Sequence, residues 1–103
     1  MEYTKQIRFL LIIADRKKKD KLLTSLLSTG ARVINAIYAK GSVNAGSIQN
    51  VFGFVPEENK IVLTCLLPRE KSDEALKMLV KDFHFDKPNT GIAITIPVEG
   101  LSY

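Results

Sequence analysis

In 103 residues there is one histidine and one cysteine. His84 has no second imidazole with which to chelate a metal ion. Between Phe83 and Phe85 it reads as a helix-end or packing residue. Cys65 stands among Thr64, Leu66 and Leu67, with no cation beside it in sequence to lower its pKa. It reads as a small buried apolar residue, not a nucleophile. A single cysteine forms no intrachain disulfide, which fits a reducing cytoplasm. The pairs Glu57-Glu58 and Asp73-Glu74 read as turn and first-turn helix charges, and no GxxxxGK[ST], GxGxxG or CxxC pattern occurs. Catalysis is not expected.

Binding is better provided for. Asp86-Lys87-Pro88-Asn89-Thr90-Gly91 is a polar turn that leads straight into an apolar strand. Pro88 restricts Lys87 to extended geometry, and Gly91 can take backbone angles closed to other residues. Such a turn offers backbone N–H groups as an anion cradle. A second feature is charge. The net charge is +4, and Arg16, Lys17, Lys18, Lys19 and Lys21 account for it, since the remainder is nearly balanced. No aromatic residue is interleaved there to stack on a base, so nucleic acid is not the expected partner. The cluster reads as a solvated first helical turn, with an anion or acidic-partner site as the alternative. A third feature is the stretch Gly41–Gly53, GSVNAGSIQNVFG, long for a hairpin connection. It is either a plain flexible connection or a partner-binding loop docking through residues such as Phe52.

The elements that must position these features follow from periodicity. Gln6–Ala14 reads as a buried strand, and Asp15 is placed to cap the helix after it. Leu22, Leu23, Leu26 and Leu27 form one apolar helical stripe, and Gly30 sits where a left-handed terminator belongs. Arg32–Lys40 is a second strand, and Lys60–Leu67 a third that ends at Pro68. A second helix is expected from about Ser72, with Ala75, Leu76, Leu79, Val80 and Phe83 on its apolar face. Ile92–Ile96 is the fourth strand, closed by Pro97. The chain is expected to form a single domain over residues 1–103. The repeated strand–helix–strand unit predicts an α+β, ferredoxin-like βαββαβ sandwich: a four-stranded antiparallel sheet with two helices on one face.

Two helices cover only one face of such a sheet, so its strands should alternate apolar with polar. These do not. Ile7, Phe9, Leu11 and Ile13 lie on one side of the first strand, and Leu10, Ile12 and Ala14 on the other. An open face of that character predicts a homo-oligomer. No run of eighteen apolar residues occurs, so no membrane insertion is expected.

The element order, the stretch GARVINAIYAKG at Gly30–Gly41 and the KPNTGIAITIPVEGL stretch at Lys87–Leu101 together resemble the PII-type nitrogen regulatory proteins, especially the short PII-like signalling proteins. The resemblance covers nearly the whole chain. It implies a cytoplasmic homotrimer without catalytic activity. Small effectors, with an adenine nucleotide as the candidate, would bind between subunits, and a loop would signal to a target such as a membrane transporter or an enzyme of nitrogen metabolism. Asn35 then stands where a Thr of the second strand contacts adenine in PII proteins. Lys40 and Gly41 stand where the signalling loop begins, and Ser42, Ser47 and Phe52 lie within that loop. Lys87, Pro88, Asn89, Thr90 and Gly91 match the turn that wraps nucleotide phosphates. The loop is shorter here and holds no Tyr. Ile92 replaces a phosphate-binding lysine, and the chain lacks the family's C-terminal arginines. Two other readings stay open: a trimeric divalent-cation protein like the cation-tolerance proteins, with ligands shared across subunits, and a small interaction module with no ligand.

Overall fold

The computed structural model describes residues 7–31, 34–40 and 59–100. Strand β1 (Ile7–Asp15) runs through a 3-10 turn (Arg16–Lys18) into helix α1 (Lys19–Ser28). Strand β2 (Ile34–Lys40), strand β3 (Asn59–Pro68), helix α2 (Arg69–Phe83) and strand β4 (Gly91–Pro97) follow. The sheet order is β2-β3-β1-β4, with every neighbouring pair antiparallel. This is the expected ferredoxin-like topology.

The pleat sorts the strand residues into two faces. Leu10, Ile12 and Ala14 of β1 pair with Cys65, Leu63 and Ile61 of β3. All six are buried, and together with Leu22 and Leu26 of α1 and Ala75 and Leu79 of α2 they make one core. Both helices therefore pack on the same face of the sheet. The opposite face is apolar too. Ile37–Val62–Ile13–Ile92 runs across all four strands, and Leu66–Phe9–Ile96 crosses three of them. Ile37, Ile96, Ile94 and Leu66 are 55%, 49%, 40% and 40% exposed. No described helix covers this face.

Local signals place the helix ends. The Asp15 carboxylate accepts the Lys17 backbone N–H at 2.9 Å, capping the 3-10 turn that opens α1. At the other end Gly30 has φ +103°, and the Gly30 and Ala31 amides donate back to the Leu27 and Leu26 carbonyls. That double bond closes α1 as a Schellman motif.

Three expectations are corrected. Helix α2 begins at Arg69, directly after Pro68, and not near Ser72. Ser72 instead faces the core, 1% exposed, and its Oγ has no hydrogen-bond partner. Leu27 and Val80, expected on the apolar stripes, are 59% and 45% exposed. Each lies on the flank of a stripe wider than the sheet surface beneath it, so the helix face rolls it outward.

Candidate functional site

The end of the sheet at which β1 and β2 finish and β3 and β4 begin collects most of the chemistry. Ala14 pairs with Gly91, Asp15 with Lys60, and Lys40 with Asn59, so the 3-10 turn, the end of β2 and the turn before β4 converge there.

The turn after α2 is built from backbone geometry. His84 adopts the left-handed conformation, φ 60° and ψ 38°, and ends the helix. The Phe85 amide donates to the Leu79 carbonyl at 3.2 Å, and the Lys87 amide to the His84 carbonyl at 2.9 Å. The Thr90 hydroxyl lies 2.7 Å from the His84 carbonyl and 2.8 Å from the Lys87 carbonyl, so its one proton ties both ends of the turn. Carbonyls are thus drawn inward, while the Asn89 and Thr90 amides take no part in the turn's backbone bonds. The left-handed residue within this turn is Asn89, φ 63°, and Gly91 does not use the positive φ open to a glycine. Asn tolerates that conformation better than most side chains. Gly91 has another reason to be glycine. A Cβ there would overlap the tip of the Phe85 ring at its Cζ. Phe85 in turn meets Phe83 edge to face at 6.4 Å. Phe85 and Gly91 also line an open cleft of about 410 Å³ between α2 and β4.

The basic cluster is not simply a solvated helix start. The Lys18 ammonium donates to the Thr90 carbonyl at 3.1 Å. The Lys19 ammonium donates to the Tyr38 hydroxyl at 2.5 Å and lies 5.1 Å from the ring centroid. That hydrogen bond, the largest contribution, raises the pKa of Lys19 above its ordinary value. Arg16 stacks its guanidinium over the same ring, 4.5 Å from the centroid, in a cation–π contact. One short turn thus reaches sideways to β2 and to the turn preceding β4, the two edge strands of the sheet. The aromatic partner missing from the cluster's own sequence is supplied across the sheet by Tyr38. The sequence signal for this was parity: Tyr38 alternates with Ile37 and so points to the helix face, where α1 begins.

Of the residues singled out by sequence, Lys87, Pro88, Asn89, Thr90 and Gly91 lie together in this turn. Lys40 brings the end of β2 to the same end of the sheet. Asn35 does not join them. It is exposed on the open face opposite Thr64, in the strand farthest from β4. Three interstrand steps separate those edges, roughly 14 Å within one subunit. Gly41, Ser42, Ser47 and Phe52 lie outside the described residues. Cys65 is 3% exposed in the core and burial raises its thiol pKa, as expected of an inert cysteine. Among the described residues no group of three or more His, Cys, Asp or Glu is placed to hold a metal ion. No helix among them is long and apolar enough to cross a membrane.

No protein-family model matches this sequence, and no curated protein matches it. Solved structures do. CPII from Thiomonas intermedia K12, bound to ADP, AMP and acetate, is 16% identical, covering 93% of this chain and 89% of its own at a TM-score of 0.71. A candidate PII-like signalling protein from Thermus thermophilus is 17% identical, over 89% of this chain and 85% of its own, TM-score 0.67. PII from Arabidopsis thaliana, bound to citrate, is 11% identical, over 92% and 79%, TM-score 0.66. The fold of this chain is the fold of the PII-like signalling proteins.

Proposed function

We propose that this chain, as a single domain over residues 1–103, is a PII-like signalling protein without catalytic activity. It assembles as a cytoplasmic homotrimer through the open face of its sheet and senses a small effector, with an adenine nucleotide as the leading candidate. The effector site is the turn Lys87–Gly91 of one subunit with Asn35 near the start of β2, Lys40 at its end and Gly41 after it. Since Asn35 and the turn stand at opposite edges of one sheet, a neighbouring subunit completes the site. The segment holding Ser42, Ser47 and Phe52 then carries the signal to a target protein, a membrane transporter or an enzyme of nitrogen or related metabolism.

The observation that carries this reading is the likeness to an ADP- and AMP-bound PII-like protein over almost the full chain. The uncovered apolar face supports it independently, because an exposed surface of that kind calls for a partner. A thermal-shift panel of adenine nucleotides, cyclic dinucleotides and divalent metals tests it, since a ligand that binds only the native state raises the melting temperature. The expected result is a rise with an adenine nucleotide that disappears in Gly91→Asp. A rise with divalent metals alone would replace this reading with a cation-binding one, and a flat panel would leave an interaction module.

A further inference from the structure

One bond shows which backbone groups face out of the sheet. The Val98 amide donates to the Ile7 carbonyl at 3.0 Å, one step beyond the Arg8–Pro97 pair. Antiparallel ladders alternate between hydrogen-bonded and non-hydrogen-bonded pairs. Ile92, Ile94 and Ile96 therefore turn their N–H and C=O groups inward to Ile13, Leu11 and Phe9, and Gly91, Ala93 and Thr95 turn theirs outward. Pro97, which has no N–H, falls on the outward side, where a strand proline belongs. The same alternation carried through β1 and β3 leaves Ile34, Ala36 and Tyr38 as outward residues of β2. No described strand lies beyond β2 or β4. Native edges are guarded by charge or proline. Within its own strand β4 has only Pro97 and β2 only Lys40, each the last residue.

We propose that the free edge of β2 pairs antiparallel with the free edge of β4 of a second copy, joining the sheets head to tail into a closed ring. Three features of the two edges fit one another. Their outward residues lie on the same face: Ala93 pairs with Ile12 and Ala36 with Leu63, both on the helix side. A joined sheet thus keeps every helix on one side and every open-face isoleucine on the other. Direction fits as well, because β2 finishes at the end of the sheet where β4 begins. Copies related by rotation about an axis along the strands therefore meet antiparallel. Finally, the join continues the apolar open face, since it brings Ile37, 55% exposed, beside the isoleucines of the next copy's β4. A head-to-tail contact that closes leaves no edge free. The proposal rests on the reading of the chain as an oligomer whose subunits share the effector site, and it says how they share it. The Lys40 end of β2 comes beside the turn Lys87–Gly91 of the next copy.

Within one copy the two edges stand roughly 14 Å apart, beyond the reach of a disulfide, so a bond between β2 and β4 must join two copies. Ala36→Cys is combined on one full-length chain with Ala93→Cys, and separately with Thr95→Cys, and each protein is oxidised with copper phenanthroline. One of these double variants is expected to cross-link into covalent multimers, and the register decides which. The single variants should not cross-link, nor should Ala36→Cys combined with Lys77→Cys on the exposed face of α2. Cys65 is buried in the core and takes no part. Hydrogen exchange of the wild type needs no variant to fold: the Ala36 and Ala93 amides should exchange at least about tenfold more slowly than in an unstructured peptide. Absence of cross-links in both double variants, or unprotected amides at both positions, overturns the proposal. Cross-linking of Ala93→Cys alone would pair β4 with itself and overturn it too. Covalent multimers that bind no adenine nucleotide would uphold the pairing and remove the effector reading. A protein that binds an adenine nucleotide but shows neither cross-links nor protection would do the reverse.

Discussion

The ring of Phe85 occupies the space that any side chain on Gly91 would need. The contact pins the start of the turn after α2 to the first residue of β4, and it explains Gly91 by proximity alone. Gly91→Ala is therefore expected to destabilise the protein by about 1–3 kcal/mol, the usual cost of overpacking. Urea denaturation of Gly91→Ala, Phe85→Leu and the double variant checks it. The smaller Leu side chain should recover part of the Gly91→Ala loss. Additive losses would mean that the two residues do not interact.

Thr90 is the other tie of that turn, its hydroxyl shared between the His84 and Lys87 carbonyls. Thr90→Val keeps the shape and removes the donor, with an expected loss of about 1 kcal/mol. Thr90→Ser should retain most of that stability. Hydrogen exchange should quicken at the Lys87 amide in Thr90→Val and little elsewhere. Equal stability of the Val and wild-type proteins would show the hydroxyl to be dispensable.

The topology was legible in the sequence because each strand and helix carries its own period, and the doubly apolar strands foretold an open face. The turn Lys87–Gly91 was legible as well, through Pro88 and Gly91, although the left-handed angle fell to Asn89 and the glycine answers to Phe85. What stayed hidden were contacts between distant segments. Arg16 and Lys19 meet Tyr38 across β3, and Lys18 meets Thr90 more than seventy residues later. Strand register decides such pairs, and local spacing carries no trace of it. Ser72 misled for a related reason. A serine near a helix start resembles a cap, but Pro68 had already permitted the helix to begin.

Ser72 is buried without a hydrogen-bond partner, so its hydroxyl has given up water for nothing in return. Such a group costs roughly 1–3 kcal/mol, and alanine is also the better helix former. Ser72→Ala should therefore stabilise the protein, by about 1 kcal/mol or more. A lowered urea midpoint would mean that the hydroxyl is satisfied in solution.

Burial raises the thiol pKa of Cys65, so the folded protein holds that proton more tightly than the unfolded chain does. The resulting stabilisation is complete below the ordinary thiol pKa. It fades as pH rises through that value toward the higher one of the folded state. Urea midpoints of the wild type should fall between neutral and alkaline pH more steeply than those of Cys65→Ala. Alkylation by iodoacetamide should be slow in the native protein and fast in urea. Parallel pH profiles for the two proteins would refute the assignment.

Ile94 lies on the open face midway along the edge strand β4, paired with Leu11 of β1 and 40% exposed. Leu27 is still more exposed, at 59%, but sits on the opposite side of the molecule, on α1. If the open face is the surface on which subunits meet, the two leucine-sized positions respond differently to charge. Ile94→Lys places like charges in a desolvated interface at a cost on the order of a few kcal/mol and should yield monomers. Leu27→Lys should keep the wild-type mass. Light scattering after size-exclusion chromatography reads both directly. A monomeric wild type, or an Ile94→Lys protein of unchanged oligomeric mass, would mean that something other than a second copy covers this face.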